Sequence, residues 1–201
     1  MTYLTLEERP LPIGSIGTRS SGWWAMLFVI ITEGAIFVFL QFSYYYIALQ
    51  QPPAAAWPPS GPPAMDLSLP STLILLASSA TFWWGEHSIK CGSRLWLTLG
   101  LLASLVLGAV FVAIQGLEWS HQHFNYATHI YGSLYFTLTG FHIAHVVVGL
   151  VIIAALLAWS LLGYFNGARY AAVSTGGLYW HFVDAVWLTL FFTFYIMPRL
   201  R

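Results

Sequence analysis

Residues 23–40 read WWAMLFVIITEGAIFVFL, a run in which Thr32 and Glu33 are the only side chains that are not apolar or glycine. Stretches of this kind recur along the chain. A helix that crosses hydrocarbon needs about 20 mainly apolar residues, and the pattern predicts five, at 22–49, 70–88, 95–117, 130–162 and 178–197. These segments lack the charged face that a helix in water requires. The first and fourth exceed the hydrocarbon thickness and are expected to tilt or extend past it. Pro70 opens the second, where proline suits a first helical turn. Between the first two spans lies QQPPAAAWPPSGPPAMDLSLP, whose paired prolines forbid continuous helix and predict an extended connector. The other connections are short enough to join antiparallel neighbours. The fold class that follows is an all-α membrane protein, a five-transmembrane-helix bundle. It forms one domain over 22–201, preceded by a soluble segment at 1–21 that lacks the apolar core and cleavage site of a signal peptide.

Composition agrees. Of 201 residues, 58% are hydrophobic and only 7% charged, with a mean hydropathy of +0.72, against about 25% charged in soluble proteins. Seven Lys and Arg balance seven Asp and Glu, so nothing points to nucleic acid or to a polybasic lipid-binding tail. Cys91 stands alone, which excludes an internal disulfide and a thiolate metal cluster. Charge placement sets the orientation. Arg9 and Arg19 precede the first span, Lys90 and Arg94 join the second to the third, and Arg169 joins the fourth to the fifth. Only Arg199 and Arg201 fall on the other side, which predicts an inside amino terminus and an outside carboxyl terminus. Trp23, Trp24, Trp57, Trp83, Trp84, Trp96, Trp119 and Trp180 lie near span ends, where indoles anchor at the interface.

The polar groups inside the spans are the candidates for function. Glu33 stands eleven residues past Gly22, about 16 Å along a helix and so near the middle of a core roughly 30 Å thick. An ionised acid there costs at least ~2.5 kcal/mol, so it is kept only with a partner, water or a proton. Two readings stay open for it: a neutral acid hydrogen-bonded to a neighbouring helix, or a group that exchanges protons. His181 and Asp184, three apart in the last span, are expected to share a face and to pair. Glu86 and His87 sit at the inner end of the second span, and Glu118 closes the third near His121, His123 and His129, loop histidines expected to be solvated. His142 and His145 in GFHIAHVVVG are expected to make interhelical hydrogen bonds, with Gly132, Gly140 and Gly149 letting helices approach. Ala77, Ser78, Ser79 and Ala80 are expected to play that part in the second span. No HExxH motif or cysteine set is present, and histidines do not face one another from two spans as bis-histidine haem requires. No metal is expected on this chain.

The order of several pieces carries a resemblance. WWAMLFVIITEGAIF, WPPSG, STLILLASSATFWWGEHSI, IQGLEW, YGSLYFTLTGFHIAHVVVG and YWHFVDAVWLTLFFTFYI follow one another from Trp24 to Tyr195 as in subunit III of the haem-copper cytochrome c oxidases. The chain resembles that family. The resemblance implies a non-catalytic subunit of an aa3-type complex that supports proton uptake, lipid binding and the stability of the catalytic subunit. It implies no cofactor on this chain, haem and copper in the partners, and bound phospholipid. Its partners would be the haem-bearing subunit I, subunit II and, as a further candidate, a small subunit IV. The setting would be a bacterial cytoplasmic (inner) membrane. Glu33 falls on the family's embedded carboxylate, a proton-related candidate. Glu86, His87, Glu118, His142, His145, His181 and Asp184 fall on its polar positions, read as packing or lipid-contact sites without a catalytic role.

Longer members of the family carry seven helices, and the resemblance here begins at their third. The two helices that wall one side of the lipid cleft are then expected to come from another subunit, or lipid binds on an open surface. Five-helix relatives also occur in quinol oxidases and beside nitric oxide reductases, which leaves the electron donor open. A reading from another class is a stand-alone proton-coupled transporter. The absence of an internal repeat, and of paired spans broken by Gly or Pro, speaks against it.

Overall fold

The computed structural model describes residues 20–52, 57–59 and 61–200. The soluble lead-in with Arg9 and Arg19 therefore lies outside the described residues. Helices account for most of the rest: α1 (Ser21–Gln50), α2 (Ser68–Lys90), α3 (Arg94–His121), α4 (Ile130–Leu161) and α5 (Ala171–Phe191). A π-helical segment, Phe192–Ile196, continues α5 into the short α6 (Met197–Leu200). No named strand occurs among the described residues. Four helical stretches are long and apolar enough to cross a membrane, namely α1, α3, α4 and the continuous Ala171–Leu200. Helix α2 is long enough at 23 residues, but Ser, Thr, Glu86 and His87 lower its apolarity. Many of its hydroxyls bond to carbonyls of their own helix, as Ser71 and Thr72 do to Ser68 and Ser78 does to Leu75, so they add little exposed polarity.

Local signals set several ends. The Ser20 hydroxyl accepts from the Trp23 amide and caps α1. His129 caps α4 through Nδ1, which accepts from Gly132 N at 2.9 Å, so this loop histidine has a structural task and is not simply solvated. After α4, Gly163 takes φ +84°, the left-handed turn that stops a helix. Helix α5 starts at Ala171, seven residues before the predicted span, because Gly176 and Gly177 are tolerated inside it where Leu156 and Phe82 press against them.

The helices alternate in direction. Helix α2 packs on α3 and α5, α3 on α4, and α4 on α5, while α1 lies against α5 and α4. The α2–α3 contact is the closest. A Cβ on Gly100 would stand 2.8 Å from Gly85 Cα and from Thr81 O, so the backbones themselves touch. Ser104 donates to Ser78 O at 2.9 Å and shares a hydrogen bond with Thr81 at 2.8 Å. Small residues with hydroxyls suit helix contacts in lipid, where no hydrophobic force drives association.

Trp180 organises the centre. It is 0% exposed, donates its indole N–H to Ser78 Oγ at 3.1 Å, and lies against the glycine gaps of α3 (Gly108) and α4 (Gly149). It is thus a core residue and not an interface anchor, since α5 begins nine residues before it. Trp83, Trp84 and Trp96 are exposed near helix ends as expected. Of the glycines expected to admit close contacts, Gly149 does so, with a Cβ there 2.6 Å from the Trp180 ring. Gly140 does not, since its nearest neighbour would be 3.9 Å away, and Gly132 sits against its own preceding loop. In α2, Ser78 and Ser79 turn toward the bundle while Ala77 and Ala80 are exposed.

Outward faces are apolar. Phe28, Ile31, Val38, Phe39 and Phe42 of α1 and Val147, Val148 and Val151 of α4 are all exposed, the arrangement expected where the solvent is hydrocarbon. A clean test follows for the centre. Gly149→Ala should destabilise the folded protein by about 1–3 kcal/mol, because the Trp180 ring cannot yield, whereas Gly140→Ala should be neutral or slightly stabilising. Thermal unfolding in mild detergent distinguishes the two.

Candidate functional site

Halfway along the bundle, Glu33 of α1 meets His145 of α4. Glu33 Oε2 and His145 Nε2 are 3.0 Å apart, with side-chain exposures of 33% and 14%. The second imidazole nitrogen, Nδ1, lies 2.7 Å from Phe141 O. A carbonyl only accepts, so Nδ1 carries a proton. The Nε2···Oε2 contact then needs one more proton between the two atoms. Whichever side holds it, the pair has no net charge: a neutral acid facing a neutral imidazole, or a carboxylate facing an imidazolium. Tyr179 of α5 extends the cluster by donating to His145 O at 3.4 Å. Phe37 packs edge-on against the His145 ring. The partner that an embedded acid requires is therefore present within the chain, three residues from the other histidine of the same motif.

His142 behaves differently. It is 0% exposed, and neither ring nitrogen has a hydrogen-bond partner among the described residues. Trp187 stacks on it at 5.0 Å and 28°, and Phe111 meets it edge-on. The expected interhelical hydrogen bond is absent because aromatic rings wall the imidazole and Thr72 has already taken the Trp187 N–H, at 2.9 Å.

The expected His181–Asp184 pair also does not form. His181 Nδ1 turns to Ser79 Oγ of α2 at 2.8 Å, which is in reach once α2 packs on α5. Asp184 is 5% exposed, and its oxygens make no hydrogen bond of normal geometry among the described residues, although the Ser79 hydroxyl interacts with the carboxyl group. Glu86, near the C-terminal end of α2, accepts from Ser174 Oγ at 2.8 Å and pairs with Lys90 at 2.8 Å. His87 is exposed and stacks on Trp83.

Near the opposite end of the bundle, Glu118 is 4% exposed and not solvated. It accepts a hydrogen bond from Tyr195 OH and one from Gln115 Nε2 at 3.3 Å, and Tyr195 OH is 3.0 Å from Tyr135 OH. The π-helical segment turns Thr193 and Tyr195 inward together, Thr193 meeting Tyr45 OH at 2.7 Å. A cavity of about 460 Å³ opens beside Glu118, lined also by Asp66, His121, Gln122 and His123. Arg199 closes this end by donating to Tyr195 O at 2.5 Å and Pro63 O at 2.6 Å. A second, apolar groove of about 500 Å³ runs along α1 and α5 between Gly34, Phe37, Phe182 and Val186. Glu33 and His145 line neither space.

No group of three or more His, Cys, Asp or Glu side chains placed to hold a metal occurs among the described residues. Tyr135, Tyr179, Tyr195 and Gln115 were not singled out from the sequence. Phenols and amides are ordinary in apolar helices, and only the partner across the bundle gives them a role.

Comparison with known proteins supplies the frame for these contacts. The family described as cytochrome c oxidase subunit III matches residues 18–198. Cytochrome c oxidase subunit 3 of Tachyglossus aculeatus aculeatus is 34% identical over 177 residues, covering 86% of this chain and 68% of that protein. Those of Lumbricus terrestris and Gadus morhua are 33% and 34% identical over the same coverage. The motifs that interlock here, Glu33 with His145 of GFHIAHVVVG and YWHFVD with α2, lie within the matched region. The chain belongs to the cytochrome c oxidase subunit III family.

Proposed function

We propose that this chain is the non-catalytic subunit III of an aa3-type haem-copper cytochrome c oxidase in a bacterial cytoplasmic membrane. The observation that carries the reading is the match to subunit III over nearly the whole chain. In this reading all five long helices span the bilayer. α2 is carried across by its neighbours, because its hydroxyls are spent on its own carbonyls and on α3 and α5. The amino terminus lies inside and the carboxyl terminus outside, as the loop cations require. Haem and copper reside in the partner subunits, chiefly subunit I, with subunit II and a small subunit IV as further members. Phospholipid covers the apolar groove along α1 and α5.

The role of the embedded polar groups follows from electrostatics. The Glu33–His145 pair holds one proton at mid-membrane without net charge, so it costs the bilayer far less than a bare carboxylate. In the assembled oxidase it contributes to the supply of protons for oxygen reduction by keeping a proton and a polar group where lipid would otherwise offer none. Glu86, His87 and Lys90 at the inner end meet headgroups. The buried Glu118–Tyr195–Tyr135 chain and Asp184 hold helices together.

Two measurements test this. A gentle-detergent pull-down of the tagged chain, with a visible spectrum and a subunit census, should bring down haem and a large oxidase subunit in equal amounts. The haem type distinguishes the cytochrome c branch from quinol oxidases, and a colourless, solitary, folded chain would favour the transporter reading. Glu33→Gln should leave the complex assembled with a modest loss of turnover, measured as oxygen consumption per haem. A loss of assembly would instead make Glu33 a packing residue.

A further inference from the structure

His181 carries a polar atom that no other described residue uses. It stands ten residues into α5, about 15 Å from the helix start, and is half-buried. Its Nδ1 is held by Ser79 Oγ at 2.8 Å and its ring meets Phe82 edge-on. Nε2 makes no hydrogen bond among the described residues, yet it is not one of the enclosed unpaired atoms, unlike the oxygens of Asp184 one turn further on. It therefore opens on the outer face of the α2–α5 seam. Thr32 and Ser43 of α1 bond back to carbonyls of their own helix, and His145 has Glu33.

What covers Nε2 must offer a hydrogen bond at mid-membrane depth. Acyl chains have neither donor nor acceptor, and headgroups lie at the helix ends, so lipid does not meet the requirement. A side chain of a neighbouring transmembrane helix does. The seam is shaped for close approach: Ala80 of α2 and Ala185 of α5 are exposed beside His181, and small residues are what allow helix backbones to near one another in lipid. Leu76 and Leu188, exposed on the same strip, flank them as apolar contacts. The α4 face with Val147, Val148 and Val151 has no such polar centre.

We propose that the α2–α5 seam around His181 seats a transmembrane helix of the haem-bearing subunit, which presents one hydrogen-bonding side chain to His181 Nε2. The proposal rests on the subunit III reading above. It gives His181 and Asp184 different tasks: His181 reaches outward to a partner, and Asp184 stays within the chain.

The test uses the intact oxidase in native membranes, with a photoreactive residue placed at Leu188 or Leu76 and, as control, at Val151. Illumination should join the first two to the haem-bearing subunit and the third to lipid alone. In parallel, His181→Leu should lower retention of this chain on the complex through a detergent wash by about three- to tenfold, the range expected for one hydrogen bond within a membrane. His181→Gln should restore it, which a merely structural ring would not allow. Adducts of Leu188 and Leu76 with lipid only, or with a second copy of this chain, would overturn the proposal while leaving the subunit reading intact. So would joining of Val151, in place of Leu188 and Leu76, to the haem-bearing subunit. If no haem-bearing subunit accompanies the unmodified chain, both readings fall.

Discussion

The bundle depends on one side chain, Trp180. In hydrocarbon no water is released when apolar helices meet, so association rests on close packing and hydrogen bonds. Trp180 supplies both at once. Its ring fills gaps left by Gly108 of α3 and Gly149 of α4, and its N–H reaches Ser78 of α2. A single residue of α5 therefore touches three other helices, and each contact needs a small or hydroxylated residue opposite. The backbone contact at Gly85 and Gly100 and the hydrogen bonds of Ser104 to Ser78 and Thr81 extend the same logic along α2 and α3. With α2 to α5 joined in this way, α1 needs only a shallow seat, and it buries just Phe37, Tyr44 and Ala48.

Three solutions to the cost of polar groups appear at one depth. Glu33 and His145 neutralise each other across α1 and α4, with Phe141 O fixing which imidazole nitrogen carries its proton. His142, three residues away, is enclosed by Trp187 and Phe111 and makes no hydrogen bond among the described residues. On the other side of α5, Ser79 holds one nitrogen of His181, and the other makes no hydrogen bond among the described residues. The same residue type is thus a proton partner, a packed ring and an open contact. The chain belongs to a family of subunits of a multisubunit oxidase, and in it one depth of the bundle carries all three arrangements.

At the end of the bundle where the chain terminates the constraint differs. The π-helical turn after α5 changes the facing of residues 192–196 and brings Tyr195 to Glu118. Arg199 then ties the end of the chain to the proline-rich connector through Pro63 O. Asp66 from the connector, His121 at the end of α3 and His123 just after it gather at one cavity. Far-separated segments meet there because a buried carboxyl needs donors, and the turn provides one.

The amino-acid sequence by itself determined the class of the molecule. Apolar runs of spanning length, scarce charge and cations confined to alternate loops leave little choice of solvent, and these are local properties that no contact can reverse. It also made the embedded polar residues visible, since Glu33, His145, His181 and Asp184 are conspicuous against an apolar background. Which atoms they meet was decided only by tertiary structure. The i,i+3 spacing of His181 and Asp184 suggested a pair, yet packing of α2 on α5 placed Ser79 nearer. Trp180 read as an anchor from its position near a predicted span end, until α5 proved to start earlier. Gly149 and Gly140 look alike in sequence, and only the position of Trp180 makes one indispensable. Hydrophobic length is written along one helix, whereas a hydrogen bond or a glycine gap belongs to two, and the partner is known only once the helices are in contact.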